Sequence, residues 1–316
     1  MDLRCPIPKI LLPVDGSEHS KRAVHFTGYL CASIGKDIKG ISVLRVITGS
    51  YLSRHLSNID FRADVLKESD TFKRIKEEHI EKNIKPLLDE TEKILGDTGV
   101  EAEIEKLIRD GDAANEIVTV ANEGDFSTII MARRGLSEIK GLFLSSVTNK
   151  VVHAARGQTV YIVGNRILRD KACPVPKILI PVDGSSYSMK GVKHAACLVS
   201  KLKNSLSKII LLRVINLALY MERLKDGIDP EEEARKILDE AKTVILQAGA
   251  SEVVIATKVR TGNPSEEILK EADEQDYNLI IMGRKGRTAF KDLILGGVST
   301  TVLQHIRKPT VAIVSS

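Results

Sequence analysis

The chain has 316 residues, of which 43% are hydrophobic, 28% charged and 4% aromatic, with no tryptophan and a formal net charge of +5. That length supports two domains, each able to bury its own core, and the composition is that of a soluble globular protein. Lys and Arg are interleaved with Asp and Glu and aromatics are few, which argues against a nucleic-acid surface, and no apolar run is long enough to span a membrane.

Residues 7–14 read as a first strand, and Ala23, Phe26, Leu30 and Ile34 at helical spacing mark an amphipathic helix after it. Residues 37–47 carry the second strand. A long charged helix over 70–95 should kink at Pro86, which removes one helical donor. Residues 100–108 form a third strand, 115–121 a helix, 127–131 a fourth strand, 143–154 a helix and 159–163 a fifth strand. Short apolar strands separated by helices imply a parallel sheet covered on both faces. Residues 48–71, with Tyr51, Leu52, Leu56, Ile59 and Phe61 among polar neighbours, read as a surface loop with a short helix, or as a lid or arm.

The same order then returns. Cys5 to Ser17 (CPIPKILLPVDGS) recurs as Cys173 to Ser185 (CPVPKILIPVDGS), an offset of 168 residues, and Val43 to Ile47 recurs at that offset as Leu211 to Ile215. Later segments are offset by 151: Ile129 to Gly135 (IIMARRG) matches Ile280 to Gly286 (IIMGRKG), and Thr159 to Val163 matches Thr310 to Val314. The chain is a duplication, with 17 extra residues in its first half after the second strand. The units expected are 1–167 and 168–316. Cys5, Cys31, Cys173 and Cys197 have no metal-like spacing, and reduced thiols are expected. Met1 to Pro6 lacks the apolar stretch of a signal peptide, so a cytoplasmic location is expected.

Chemistry-bearing residues gather where strands should end. The first strand of each half closes on Pro-Val-Asp-Gly-Ser, with Asp15 in one and Pro181, Val182 and Asp183 in the other. Such an aspartate can accept from a base or ribose, or serve a turn or helix cap, as can Ser17 or Ser185. Val46, Val214, Met131 and Met282 end other strands and read as cleft wall or as sheet core. In the second half Gly283, Gly286, Gly296 and Gly297 flank a loop whose bare amides and following helix suit a phosphate. Arg284 and Lys285 add positive charge at its lip, and Val298 and Ser299 begin the helix.

The spacing G-x2-G-x9-G resembles the nucleotide loop of the universal stress protein family, whose pattern ends in glycine and then Ser or Thr; Gly297 stands where that hydroxyl belongs. The resemblance covers nearly the whole chain, twice. It implies an α/β fold of two tandem five-stranded parallel-sheet domains, strand order 3-2-1-4-5, with helices on both faces. Ligands then sit where the order changes direction. It further implies an adenine nucleotide as ligand, ATP or AMP, with Mg²⁺ beside ATP, and a role as a sensor or regulatory module in the stress response. The second half carries the near-intact site: Pro181, Val182, Asp183, Val214, Met282, Gly283, Arg284, Gly286, Gly296, Gly297, Val298 and Ser299. In the first half Ala132 and Ser145 replace two loop glycines, while Ser146 keeps the hydroxyl. That weaker site comprises Asp15, Val46, Met131, Ala132, Gly135, Ser145, Ser146 and Thr148.

No catalytic residue and no metal ligand set stands out. The alternatives are slow ATP hydrolysis or autophosphorylation, for which Asp292, Ser299 and Thr300 are the nearest groups, and a scaffold with vestigial clefts. GxxxxGK[ST], an early GxGxxG and an SGGxDS loop are all absent. Family members pair through their last strands, so residues 159–163 and 310–314 are expected to form an internal pseudo-dimer, with a further homodimer left open.

Overall fold

A computed structural model of the chain describes residues 7–48, 70–134, 144–202, 205–285 and 295–315. The first half runs β1 (Lys9–Pro13), α1 (Glu18–Ile34), β2 (Gly40–Ile47), α2 (Asp70–His79), α3 (Lys85–Thr98), β3 (Glu103–Asp110), α4 (Ala113–Glu123), β4 (Thr128–Ala132), α5 (Ser146–Ala154) and β5 (Thr159–Val163). The second half runs β6 (Lys177–Pro181), α6 (Ser186–Leu202), β7 (Lys208–Ile215), α7 (Leu217–Lys225), α8 (Pro230–Gln247), β8 (Ile255–Thr261), α9 (Pro264–Gln275), β9 (Leu279–Gly283), α10 (Gly297–His305) and β10 (Thr310–Val314). Near Pro86 a π turn, Ile80–Ile84, interrupts the α-helical pattern between α2 and α3, and the proline lies at the start of α3.

Within each half all pairings are parallel and the order is 3-2-1-4-5. The halves do not form separate sheets. Strand β10 pairs antiparallel with β5, Ala312 opposite Tyr161, so ten strands make one sheet in the order β3-β2-β1-β4-β5-β10-β9-β6-β7-β8. Strands at its centre are apolar on both faces because helices cover both. Ile10 and Leu12 of β1 point into one core with α1, α3, α6 and α8; Leu11 points into the other with α4, α5, α9 and α10. Both cores run unbroken across the seam.

The seam is tightly fitted. Past the strand ends, the amides of Asn165 and Arg166 donate to the carbonyls of Arg307 and Lys308 at 2.8 and 3.1 Å. A Cβ on Gly164 would lie 2.2 Å from the Lys308 carbonyl oxygen, so only glycine fits there. On one face Tyr161 is fully buried between Phe26 of α1 and His194 of α6, with its hydroxyl 2.6 Å from His194 Nε2. Phe26 and His194 occupy equivalent positions in the two halves. Cys31 and Cys173 are buried reduced thiols, and burial pushes the Cys173 thiol up to about 11. Cys5 and residues 49–69 lie outside the described residues. No helix among the described residues is long and apolar enough to cross a membrane.

Burial pushes the His194 imidazole down from 6.5 to about 4, so it is neutral at neutral pH. The unfolded chain takes up this proton first. Stability present above the unfolded value is therefore lost as pH falls from that value through the folded one, by about 3 kcal/mol at about 1.4 kcal/mol per unit. His194→Phe, which installs the residue of the first half, should flatten that loss in urea unfolding measured at about pH 7 and about pH 4.5. An unchanged acid slope would place the sensitivity in another group.

Candidate functional site

Strands β6 and β9 are neighbours, and the chain leaves them toward opposite edges of the half-sheet, so a crevice opens beyond their carboxyl ends. A cleft of about 600 Å³ lies there. One wall is the end of β6, Pro181 to Asp183, with Val214 of β7 beside it; the floor carries Met282 and Gly283 of β9. The opposite rim is the first turn of α10, with Gly296, Gly297, Val298 and Ser299. Those ten sequence-predicted residues are thus brought together. Gly286, Gly135 and Asp292 lie outside the described residues.

Local chemistry fixes each wall. Asp183 Oδ1 accepts from the Ser185 amide at 2.9 Å, and Ser185 Oγ caps α6 by accepting from the Ser188 amide at 3.1 Å. Asp15 and Ser17 repeat this turn and cap in the first half at 3.0 and 3.1 Å. The turn role open to both aspartates is therefore in use, and Asp183 also faces the cleft. Ser299 Oγ donates to the Gly283 carbonyl at 3.0 Å and Thr300 Oγ1 to the Gly296 carbonyl at 3.0 Å. The Ser299 hydroxyl thus ties α10 to the end of β9, while that of Thr300 bonds back within its own first turn.

The two halves differ at this helix start. Helix α10 is preceded by Gly296, which has no side chain to cap it. Helix α5 is preceded by Ser145, whose Oγ accepts from the Thr148 amide at 3.0 Å and so occupies the first turn. Thr148 Oγ1 donates to the Ala132 carbonyl at 3.0 Å, the counterpart of the Ser299 tether, and Ser146 is exposed. Val46 and Met131 end β2 and β4 as buried members of one core.

The model of the "Universal stress protein family" matches residues 6–163 and again residues 174–314. The chain belongs to that family. Universal stress protein MJ0531 of Methanocaldococcus jannaschii is 26% identical over 159 residues, which is 48% of this chain and 90% of that one. Universal stress protein Slr1230 of Synechocystis is 22% identical over 315 residues, spanning 95% of this chain and 97% of its own. Among solved structures, a universal stress protein of Archaeoglobus fulgidus superposes with a TM-score of 0.66 at 21% identity, covering 97% of each chain. That likeness shows the tandem fold.

Two expectations from the sequence change. Arg284 does not lend its charge to the lip of the family's loop. Its side chain is 5% exposed and turns to the other half, donating to the carbonyls of Ala155 and, at 2.6 Å, His153, and to Ser315 Oγ at 3.0 Å. Carbonyls at a helix end lack donors within the helix, and α5 ends there. Lys285 does line the cleft, 5.9 Å from the Tyr187 ring. Gly283 has a packing reason of its own, because a Cβ on it would lie 2.3 Å from the Tyr187 carbonyl oxygen and 2.8 Å from the Ser188 amide.

Sequence reading missed α7, which forms the outer wall with Ala218, Leu219, Glu222 and Arg223. Its signal was Asn216, which caps the helix by accepting from the Leu219 amide at 2.7 Å. Arg223 forms a two-point pair with Glu233 at 2.9 and 3.2 Å, which holds α7 against α8. Pro264 and Ile268 of α9 complete the apolar side. Behind them Arg260 binds Glu267 and Glu271 at 2.9 and 2.7 Å. Burial would raise the Glu271 carboxyl, yet hydrogen bonds from Lys258, Tyr277 and Arg260 outweigh it and hold the group below the usual range. No group of three or more metal-type ligands occurs among the described residues.

Gly283→Ala should cost about 1–3 kcal/mol in urea unfolding, since a Cβ at that place strikes the backbone of α6. Gly297→Ala, whose Cβ meets nothing within 4 Å, should change stability by less than about 0.5 kcal/mol. Equal costs would show that packing at Gly283 is not the constraint.

Proposed function

We propose that the second half binds one adenine nucleotide per chain, ATP or AMP, and that its occupancy makes the protein a nucleotide-responsive regulatory module. The observation that carries this reading is the uncapped first turn of α10 at the rim of an apolar-walled cleft. Bare amides and the positive helix end suit a phosphate, Lys285 adds charge, and Val214, Met282 and Ile268 offer apolar surface to a base. The glycine spacing of the family's nucleotide loop is kept here, with Gly297 in place of its final hydroxyl. Asp183 would meet the base or ribose, and Mg²⁺ would accompany the phosphates of ATP. In the first half Ser145 takes the place a phosphate would need, so we assign that half no nucleotide or a weak one.

We take 1–167 and 168–316 as the two units. Strands β5 and β10, the last of each half, are joined within the chain, so we infer an internal pseudo-dimer as the working unit, and any homodimer uses another surface. We place the protein in the cytoplasm.

Calorimetric titration with ATP and AMP, with and without Mg²⁺, tests the reading. One site per chain is expected. Val214→Phe fills the cleft and should weaken binding more than about tenfold, whereas Val46→Phe in the first half should leave it within about twofold. Two sites per chain would overturn the asymmetry, and no binding at about millimolar nucleotide would overturn the function. Gly297→Ser restores the family hydroxyl into open space. It should tighten AMP by about three- to tenfold through one added hydrogen bond to phosphate, read in the same titration.

A further inference from the structure

Helix α10 is nine residues long, and its two ends are held by different halves of the chain. Near its start, the Ser299 hydroxyl ties it to Gly283 of its own half. In its last turn the Leu303 carbonyl accepts from Arg133 Nη2 at 2.6 Å, and Arg133 belongs to the first half, directly after β4. That arginine is 4% exposed, so its guanidinium is committed to the seam. Last-turn carbonyls have no donor within the helix and carry its negative end, which makes a guanidinium a strong and directional partner. Arg284 makes the same reach in reverse, to the end of α5.

The first half has lost two loop glycines but keeps the arginine between them. We propose that Arg133 is a positioning residue for the nucleotide cleft of the second half. It fixes the far end of the helix whose first turn faces the phosphate, about 9 Å away at about 1.5 Å per residue, and touches no ligand itself. The inference rests on the nucleotide reading above. On this view Arg133, directly after β4, holds the other half's helix in register with its cleft. A helix this short has little stability of its own, so losing one anchor shifts or frays it as a body. A base lying against Val214 and Met282 is insensitive to that shift; a phosphate at the first turn is not.

The test uses the full chain with Arg133→Met and Arg133→Lys, titrated with adenosine and with AMP, and amide hydrogen exchange without ligand. In Arg133→Met the AMP-over-adenosine preference should fall about five- to tenfold while adenosine affinity stays within about twofold. Arg133→Lys, which keeps a cation long enough to reach Leu303, should restore the preference to within about twofold. Exchange over 297–303 should quicken at least about tenfold in Arg133→Met, with 264–275 unchanged. A role confined to seam stability predicts a lower melting temperature with the preference intact, and that result overturns the proposal. So does equal weakening of both ligands. If Arg133→Met does not fold, Arg133→Gln, too short to reach Leu303, is held to the same limits. Wild-type protein that binds neither ligand overturns the nucleotide reading and the positioning role together; a normal wild type with an unaltered variant overturns the role alone.

Discussion

One antiparallel step in an otherwise parallel ten-stranded sheet dictates where everything else can be. Because β5 meets β10 head to tail, the carboxyl ends of the strands in one half lie on the same edge as the amino ends in the other. Helices α5 and α10 start at the carboxyl edge of their own half and run back along the sheet. Each must then finish beside the loop that begins the other half's cleft. The crossed contacts of Arg133 and Arg284 follow from that geometry. The same step makes both hydrophobic cores continuous across the seam, so neither half presents its fifth strand as an open edge.

The buried arginines show how the seam tolerates charge. Burial, with Arg134 and Arg307 nearby, lowers the Arg133 guanidinium to about 10; burial and Arg156 lower Arg284. Both remain charged at neutral pH. Main-chain carbonyls at helix ends face them, Leu303 accepting from Arg133 and Ala155 and His153 from Arg284, and offer partial negative charge to a planar donor. His194 takes the other course, staying neutral beside Tyr161, because burial penalises its charged form.

What the sequence made legible was the frame. Strands buried on both faces appear as unbroken apolar runs, and an internal repeat checks each one against its twin, so β1, β4 and β5 and their counterparts stood out together. The cleft walls at Asp183, Val214 and Met282 followed from the rule for open sheets. Arg284 was misplaced for a physical reason: an arginine beside loop glycines reads the same whether it faces a phosphate or a neighbour's carbonyls. Carbonyl partners belong to the backbone and leave no mark in the side-chain code. Gly283 was ambiguous likewise, since close approach by a ligand and by the α6 backbone both exclude a Cβ. Helix α7 escaped because it is nine residues long and lies where the sequence repeat breaks.

The difference between the halves at the helix start is a choice between two ways to satisfy the same donors. The first amides of a helix need acceptors, and a serine at the cap supplies one at a benefit of about 1 kcal/mol. Ser145 does this for α5, and a phosphate arriving there would have to displace a hydroxyl already in place. Gly296 forgoes that stabilisation, so α10 begins with donors turned to a cleft. A helix left uncapped by its own chain is less secure, and the remaining anchors, Ser299 at the base of the first turn and Arg133 at the last, bear more of the load. On the proposed reading, openness to an anion follows from that one glycine, whereas the hold from the other half follows from the antiparallel seam and is shared by the capped helix α5.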